Sequence, residues 1–284
     1  MNYKKQKRDQ IDRCNICGNL SALTWDHVPP KSTLIERNTY ADRLFAKAEL
    51  PKENRYMDHY QSGIKYRTIC SKCNNDVLGE NDKVYKQFVD MVVQQLRNVD
   101  VAMQQGLVLP QHITIKTKIN RLLRAIGGHF LSMKPVYDEF AEADNVLRSY
   151  VLDETLRLEK EKLFCWFYPN STVVIARDVM APGYFPKTHP KGTFSMMASY
   201  PLAFLISSED ECDCNVDNLS RYSTKNIEDT IEISLHFETS RYSGSNKLKD
   251  FLWPMNVTGQ PYGALMALGN EEVMEGSRIG ITKK

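Results

Sequence analysis

The chain has 284 residues, of which 42% are hydrophobic and 25% charged, with a formal net charge of +2. These are ordinary values for a globular protein, and the length suffices for one large or two ordinary domains. No apolar run approaches the roughly 20 residues that span a bilayer, and the charged start MNYKKQKRDQ lacks the apolar stretch of a secretory signal, so a cytoplasmic protein with no membrane partner is expected. In that compartment seven cysteines are metal ligands or buried thiols before they are a disulfide framework. Charge is uneven: residues 1–80 carry 14 Lys and Arg against 10 Asp and Glu, a balance of +4, and the remainder 23 against 25, a balance of −2. A polyanion partner fits this mildly basic segment, as does plain solvated surface.

In chain order, residues 1–79 are rich in turn formers and cysteine. Cys14-Asn15-Ile16-Cys17 and Cys70-Ser71-Lys72-Cys73 are two C-x2-C knuckles. Each wraps two thiolates around one tetrahedral ion, and together they predict one structural zinc held by four cysteines. A closed four-thiolate site has no open coordination position, so it stabilises a loop-rich module and any chemistry lies elsewhere. The spacer of 52 residues from Gly18 to Ile69 is long for a zinc ribbon and must hold something besides a turn. It contains TWDHVPPKS, Thr24 to Ser32, where an acid and a histidine precede two prolines that stop regular strand pairing. Taken alone, Asp26-His27 is a polar turn, and Asn74 a helix cap.

From Glu80 the pattern turns helical: Val84, Phe88, Met91, Val92, Val93 and Leu96 recur at helix spacing until Gly106 closes the segment. Ile119, Leu122, Leu123, Ile126 and Phe130 mark a second helix with Gly127-Gly128 inside it, and a third is expected from about Val136 to Leu158. After Lys162 come short β-type runs, FCWFY, TVVIA, YPLAFLIS and IEISLHF, separated by Pro, Gly, Asn and Ser. They predict an antiparallel sheet and an α+β fold class, with a boundary near residue 100.

The order of knuckle, TWDHVPPKS, spacer and YRTICSKCNNDVLG resembles the HNH endonucleases of the ββα-metal class, in the branch braced by a four-cysteine zinc. The resemblance covers residues 12–80. It implies a zinc-braced HNH module within residues 1–100, followed by a helical segment and a mostly antiparallel α+β domain over 101–284 that recognises substrate, oligomerises the protein or meets a regulatory partner. It also implies a site in which Asp26 and Asn74 hold a catalytic Mg2+ or Mn2+ and His27 is the general base, with Asn75 as understudy to Asn74. One position departs from the family pattern: Lys65 stands where an asparagine often braces the base-bearing loop, leaving His59, Asn54 or a backbone group for that task.

The chemistry agrees with the resemblance. Imidazole, with an ordinary pKa near 6.5, accepts a proton from water at neutral pH, and a hard cation takes one or two carboxylate or amide oxygens plus substrate phosphate. Neighbouring side chains on a strand point to opposite faces, so Asp26 and His27 need a bend to reach one phosphate. The expected function is hydrolysis of DNA phosphodiester bonds, by analogy in a restriction or phage-defence effector. The alternatives are a non-catalytic zinc module that binds nucleic acid or protein, and an HNH-type nuclease acting on RNA. Lys31, Arg37, Arg55, Lys65, Arg67 and Lys72 are candidate phosphate contacts or plain surface charge. His59 and the acidic Cys212/Cys214 loop are expected to be solvated surface. His112, His129, His189 and His236 are expected to be structural, and Trp166 and Trp253 core.

Overall fold

The computed structural model describes residues 8–33, 39–42, 58–60, 63–108, 110–168, 173–181, 192–207, 216–224, 226–237 and 265–269. Among them, five strands precede the first helix: β1 (Ile11–Arg13), β2 (Leu20–His27), β3 (Thr39–Asp42), β4 (Asp58–Tyr60) and β5 (Lys65–Cys70). β1, β2 and β5 form an antiparallel three-stranded sheet in that order. Gly18 reverses the chain between β1 and β2 at φ +73°, and a Cβ there would lie 2.9 Å from the Tyr137 hydroxyl oxygen, so both backbone and space demand glycine.

β5 runs into the second knuckle, which continues through a π-helical turn, Cys73–Leu78, into α1 (Gly79–Gln104). The helix buries Val84, Phe88, Val92, Leu96, Val99 and Met103 at three- and four-residue spacing. Its exposed side carries the ion pairs Lys83–Glu80 and Lys86–Asp90. β6 (His112–Lys118) follows, then α2 (Ile119–Ser132) and α3 (Glu142–Leu152). Every residue of α2 but Arg121 is buried, so this helix lies in the middle of the protein. No helix of the described residues is long and apolar enough to cross a membrane.

The remaining strands are β7 (Lys162–Phe167), β8 (Val173–Ala181), β9 (Gly192–Ser199), β10 (Leu202–Ser207), β11 (Asp217–Asn218), β12 (Thr230–His236) and β13 (Leu265–Gly269). Eight strands make one antiparallel sheet in the order β11-β7-β10-β9-β8-β13-β3-β4. Two short strands from the first 60 residues therefore extend a sheet built mostly by the C-terminal half. β12 pairs with β6 in a separate ladder. The α+β class holds, and one contiguous buried cluster runs from Cys14 and Ile16 through α1 and α2 to Phe204, Ile233 and Phe237.

Several expected elements differ in extent. The third helix occupies Glu142–Leu152 rather than 136–158 because side chains take over the backbone groups at both ends. Asn145 Nδ2 donates to the Glu139 carbonyl and Arg148 to that of Asp138, fixing the preceding loop, and Asp153 Oδ1 accepts from the Thr155 amide at 2.9 Å, a turn that ends the helix. The run IEISLHF leaves the main sheet for β6, whose burial alternates at Ile113, Ile115 and Thr117.

The paired glycines of α2 mark a close helix contact. A Cβ on Gly128 would stand 2.2 Å from Leu78 Cδ2, the end of a fully buried side chain that would have to shift against its packed neighbours. Gly128→Ala gains about 1 kcal/mol of helix propensity and meets an overpacking cost of about 1–3 kcal/mol. Net destabilisation is expected in urea unfolding, and a variant as stable as wild type would show that the helices can separate freely.

Candidate functional site

The four cysteine sulfurs, Cys14, Cys17, Cys70 and Cys73, all lie within 4.8 Å of one another. Cys17 Sγ and Cys70 Sγ are 3.9 Å apart, close to the roughly 3.8 Å that tetrahedral geometry with 2.3 Å zinc–sulfur bonds requires. The cluster can hold a metal such as zinc. Bonding from the Cys73 thiol, with help from the amides of Cys17, Cys70 and Ile16, outweighs burial and brings the Cys14 thiol down to about 5. The same bond and burial push Cys73 upward. Metal ligation requires thiolate, and a bound cation would supply the charge that draws the remaining thiols down.

Asn15, inside the first knuckle, fastens this module to the centre of the fold. Its Nδ2 donates to the carbonyls of Leu131 (3.0 Å) and Lys134 (2.7 Å) at the end of α2, and its own carbonyl accepts from Arg148 Nε at 2.8 Å. Thr68 Oγ1 donates to the Ser132 carbonyl from β5. The knuckles and α2 are thus one packed unit.

The TWDH segment forms the end of β2. A bulge falls between Thr24 and Trp25, after which Trp25 pairs with Arg67, Asp26 with Tyr66 and His27 with Lys65. The bulge lies before the acid and histidine rather than between them, so the two keep alternate faces. Asp26 turns inward and is buried. Its Oδ2 accepts from Ser132 Oγ at 2.6 Å and contacts His129 Nδ1 at 3.2 Å. His129 Nε2 contacts Asp82 Oδ1 at 2.8 Å, so one imidazole bridges two carboxylates from β2 and α1. Burial alone would lower the His129 pKa, but Asp82 and Asp26 raise it to about 10, and the ring is a buried cation at neutral pH.

His27 is half-buried, and its Nε2 is shielded from solvent with no hydrogen-bond partner among the described residues. Burial lowers its pKa below the ordinary 6.5, and the cations Lys65, Lys31 and His129 lower it further against the opposing pull of Asp26. The ring is therefore neutral at pH 7. The backbone holds this segment: His27 sits in the ladder opposite Lys65, and the Val28 amide donates to the Ile64 carbonyl at 3.0 Å.

Asn74 lies in the π-helical turn, a conformation frequent at functional sites. Its Nδ2 donates to Thr24 Oγ1 and to the Trp25 carbonyl, both at 3.1 Å, leaving Oδ1 as the atom able to take a cation. The second asparagine, Asn75, is exposed and donates to Ser71 Oγ at 3.0 Å. Asn74 is thereby brought against β2 two residues before His27, while the hydrogen bonds of Asp26 run to the opposite side, towards α2.

Lys31 and Lys72 are exposed, and His59 pairs with Tyr40 in the β3–β4 ladder. Trp166 is buried as expected. Arg37, Asn54, Arg55, His189, Cys212, Cys214 and Trp253 lie outside the described residues. Sequence reasoning missed Asp82 and Ser132; His129, expected to be structural, is buried between the two carboxylates. The available signal was His129 itself, a polar residue on a helix apolar on nearly every side. Comparison of the chain with protein-family models, curated proteins and solved structures finds no match.

Proposed function

We propose that the protein is a metal-dependent endonuclease that hydrolyses DNA phosphodiester bonds, with a structural zinc in its four-cysteine cluster. The observation that carries this reading is the meeting of Asn74 with β2: from the π-helical turn its Nδ2 bonds the Trp25 carbonyl two residues before His27, which sets an amide oxygen beside the strand that carries a neutral imidazole, inside a four-cysteine frame. Asn74 Oδ1 offers one hard oxygen donor of the kind Mg2+ or Mn2+ takes, and Asp26, turned to the opposite side of β2, offers a second once it leaves Ser132 and His129. When bound, such an ion supplies neutralisation of the charge that builds on the phosphate oxygens.

His27 supplies the base. Its Nε2, with no hydrogen-bond partner among the described residues, is a buried ring nitrogen with unmet hydrogen-bonding capacity, which a water would satisfy. Transfer of that water's proton to Nε2 lets its oxygen attack phosphorus as the bond to the 3′ oxygen breaks, and the departing oxygen takes a proton from solvent. Because the His27 pKa lies below 6.5, the base is fully available at neutral pH and is lost only as acid protonates it.

Full-length protein is expected to nick supercoiled plasmid in Mg2+ or Mn2+. His27→Ala should lose about 100-fold or more of the rate, the usual share of a general base, while keeping its zinc content and circular dichroism. Absence of cutting on both DNA and RNA, or equal cutting by the variant, would overturn the proposal. Cutting of RNA alone would reassign the polymer.

A further inference from the structure

We infer that the outer face of the β2–β5 pair is a stacking subsite for an unpaired nucleobase, centred on Trp25. This inference rests on the nuclease reading for its ligand class, and it stands on separate residues. Trp25 and His27 are two apart on β2, so their side chains share a face, and their cross-strand partners Arg67 and Lys65 share it with them. The opposite face of the same strands is packed, with Asp26 and Tyr66 buried.

The Trp25 indole is 46% exposed, although its neighbour Asp26 is buried. Apolar rings of this size are among the largest contributors to core burial, and the interior lies one residue away on the same strand. The Arg67 guanidinium stands 5.8 Å from the Trp25 ring centroid, and its Nε donates to the Arg8 carbonyl at 3.1 Å, which fixes the cation at the ring. Lys65 adds a second positive charge on that face, near enough to influence His27. An aromatic ring interleaved with cations is the composition of single-strand binding surfaces, where bases stack on rings and cations follow the backbone. Stacking on an indole requires a base freed from its neighbours, so the preferred ligand is single-stranded nucleic acid or a locally opened duplex. The base would rest on Trp25 while the adjoining phosphate lies towards His27.

The test is fluorescence anisotropy of the full-length protein with labelled oligothymidylate, oligouridylate and a DNA duplex of equal length, without added divalent ion so that binding is read apart from cleavage. Trp25→Ala is expected to weaken single-strand binding about 5- to 150-fold, the range for loss of one stacked base, with a smaller effect on duplex; Trp25→Phe should retain most of the affinity. Equal loss on single strand and duplex, or no loss, would overturn the subsite. As a second measurement that needs no variant, saturating oligothymidylate should quench wild-type indole emission, and unchanged emission overturns it also. If Trp25-dependent binding is found in a protein that cuts nothing, the nuclease proposal fails and the subsite stands. Cutting with Trp25-independent binding gives the reverse. The oligothymidylate and oligouridylate arms separate DNA from RNA.

Discussion

Stripping the metal from the four-cysteine cluster is expected to melt the knuckles and, with them, the entry to α1. Structural zinc in small modules contributes about 10–16 kcal/mol of apparent binding free energy at neutral pH, a quantity as large as the whole stability of a typical domain, about 5–15 kcal/mol. Cys14 and Cys73 are buried in the same contiguous core as Phe88 and Ile126, so loss of the ion leaves thiols and an unneutralised thiolate inside. Asn15 carries the disturbance further, because its side chain is bonded to the end of α2 at Leu131 and Lys134. Cys70→Ser, which replaces one ligand by a hydroxyl, should yield protein with little zinc and a much lower melting temperature, read by elemental analysis beside thermal circular dichroism. A chelator-treated protein with wild-type melting and no zinc would show that packing on α2 alone holds the module.

The knuckles were legible in the sequence because each places two ligands three residues apart, a local signal that needs no knowledge of the fold. The same holds for α1 and for the core of α2, whose apolar residues repeat at helix spacing. What escaped were decisions made by distant partners. Asp26 and His129 are 103 residues apart in sequence, and no local pattern says that one will face the other. The shortening of the third helix was decided by Asn145, Arg148 and Asp153 reaching backbone groups outside it. The place of Lys65 is instructive in another way. Of the substitutes offered, His59, Asn54 or a backbone group, it is the backbone that holds the segment, through the pairing of His27 with Lys65 and the bond from the Val28 amide to the Ile64 carbonyl. The exposure of Trp25 likewise has no local signal in the sequence.

Replacing His129 by leucine should be among the most damaging single changes in the protein. The imidazolium lies between Asp26 and Asp82, with side-chain exposures of 0% for His129, 7% for Asp26 and 25% for Asp82. Removing the cation from a buried pair typically costs about 3–5 kcal/mol, because the carboxylate left behind is neither solvated nor neutralised. Ser132 Oγ still donates to Asp26, which moderates the loss on that side, and Asp82 is open enough to recover some water. The charge also sets a pH dependence. A histidine raised from 6.5 to about 10 in the folded protein binds its proton more tightly there than in the unfolded chain. Its stabilisation is therefore complete below pH 6.5 and is lost as pH rises from there through about 10. In buffer without Mg2+ or Mn2+, the unfolding free energy of the wild type should decline across that window. His129→Gln, which keeps a donor but cannot carry the charge, should be less stable near neutrality and lack this decline. A flat wild-type profile between pH 7 and 10, or a His129→Gln curve that runs parallel to it, would mean that the ring is neutral and the two carboxylates share some other proton. The consequence reaches the proposed site, since the carboxylate that His129 orients is Asp26.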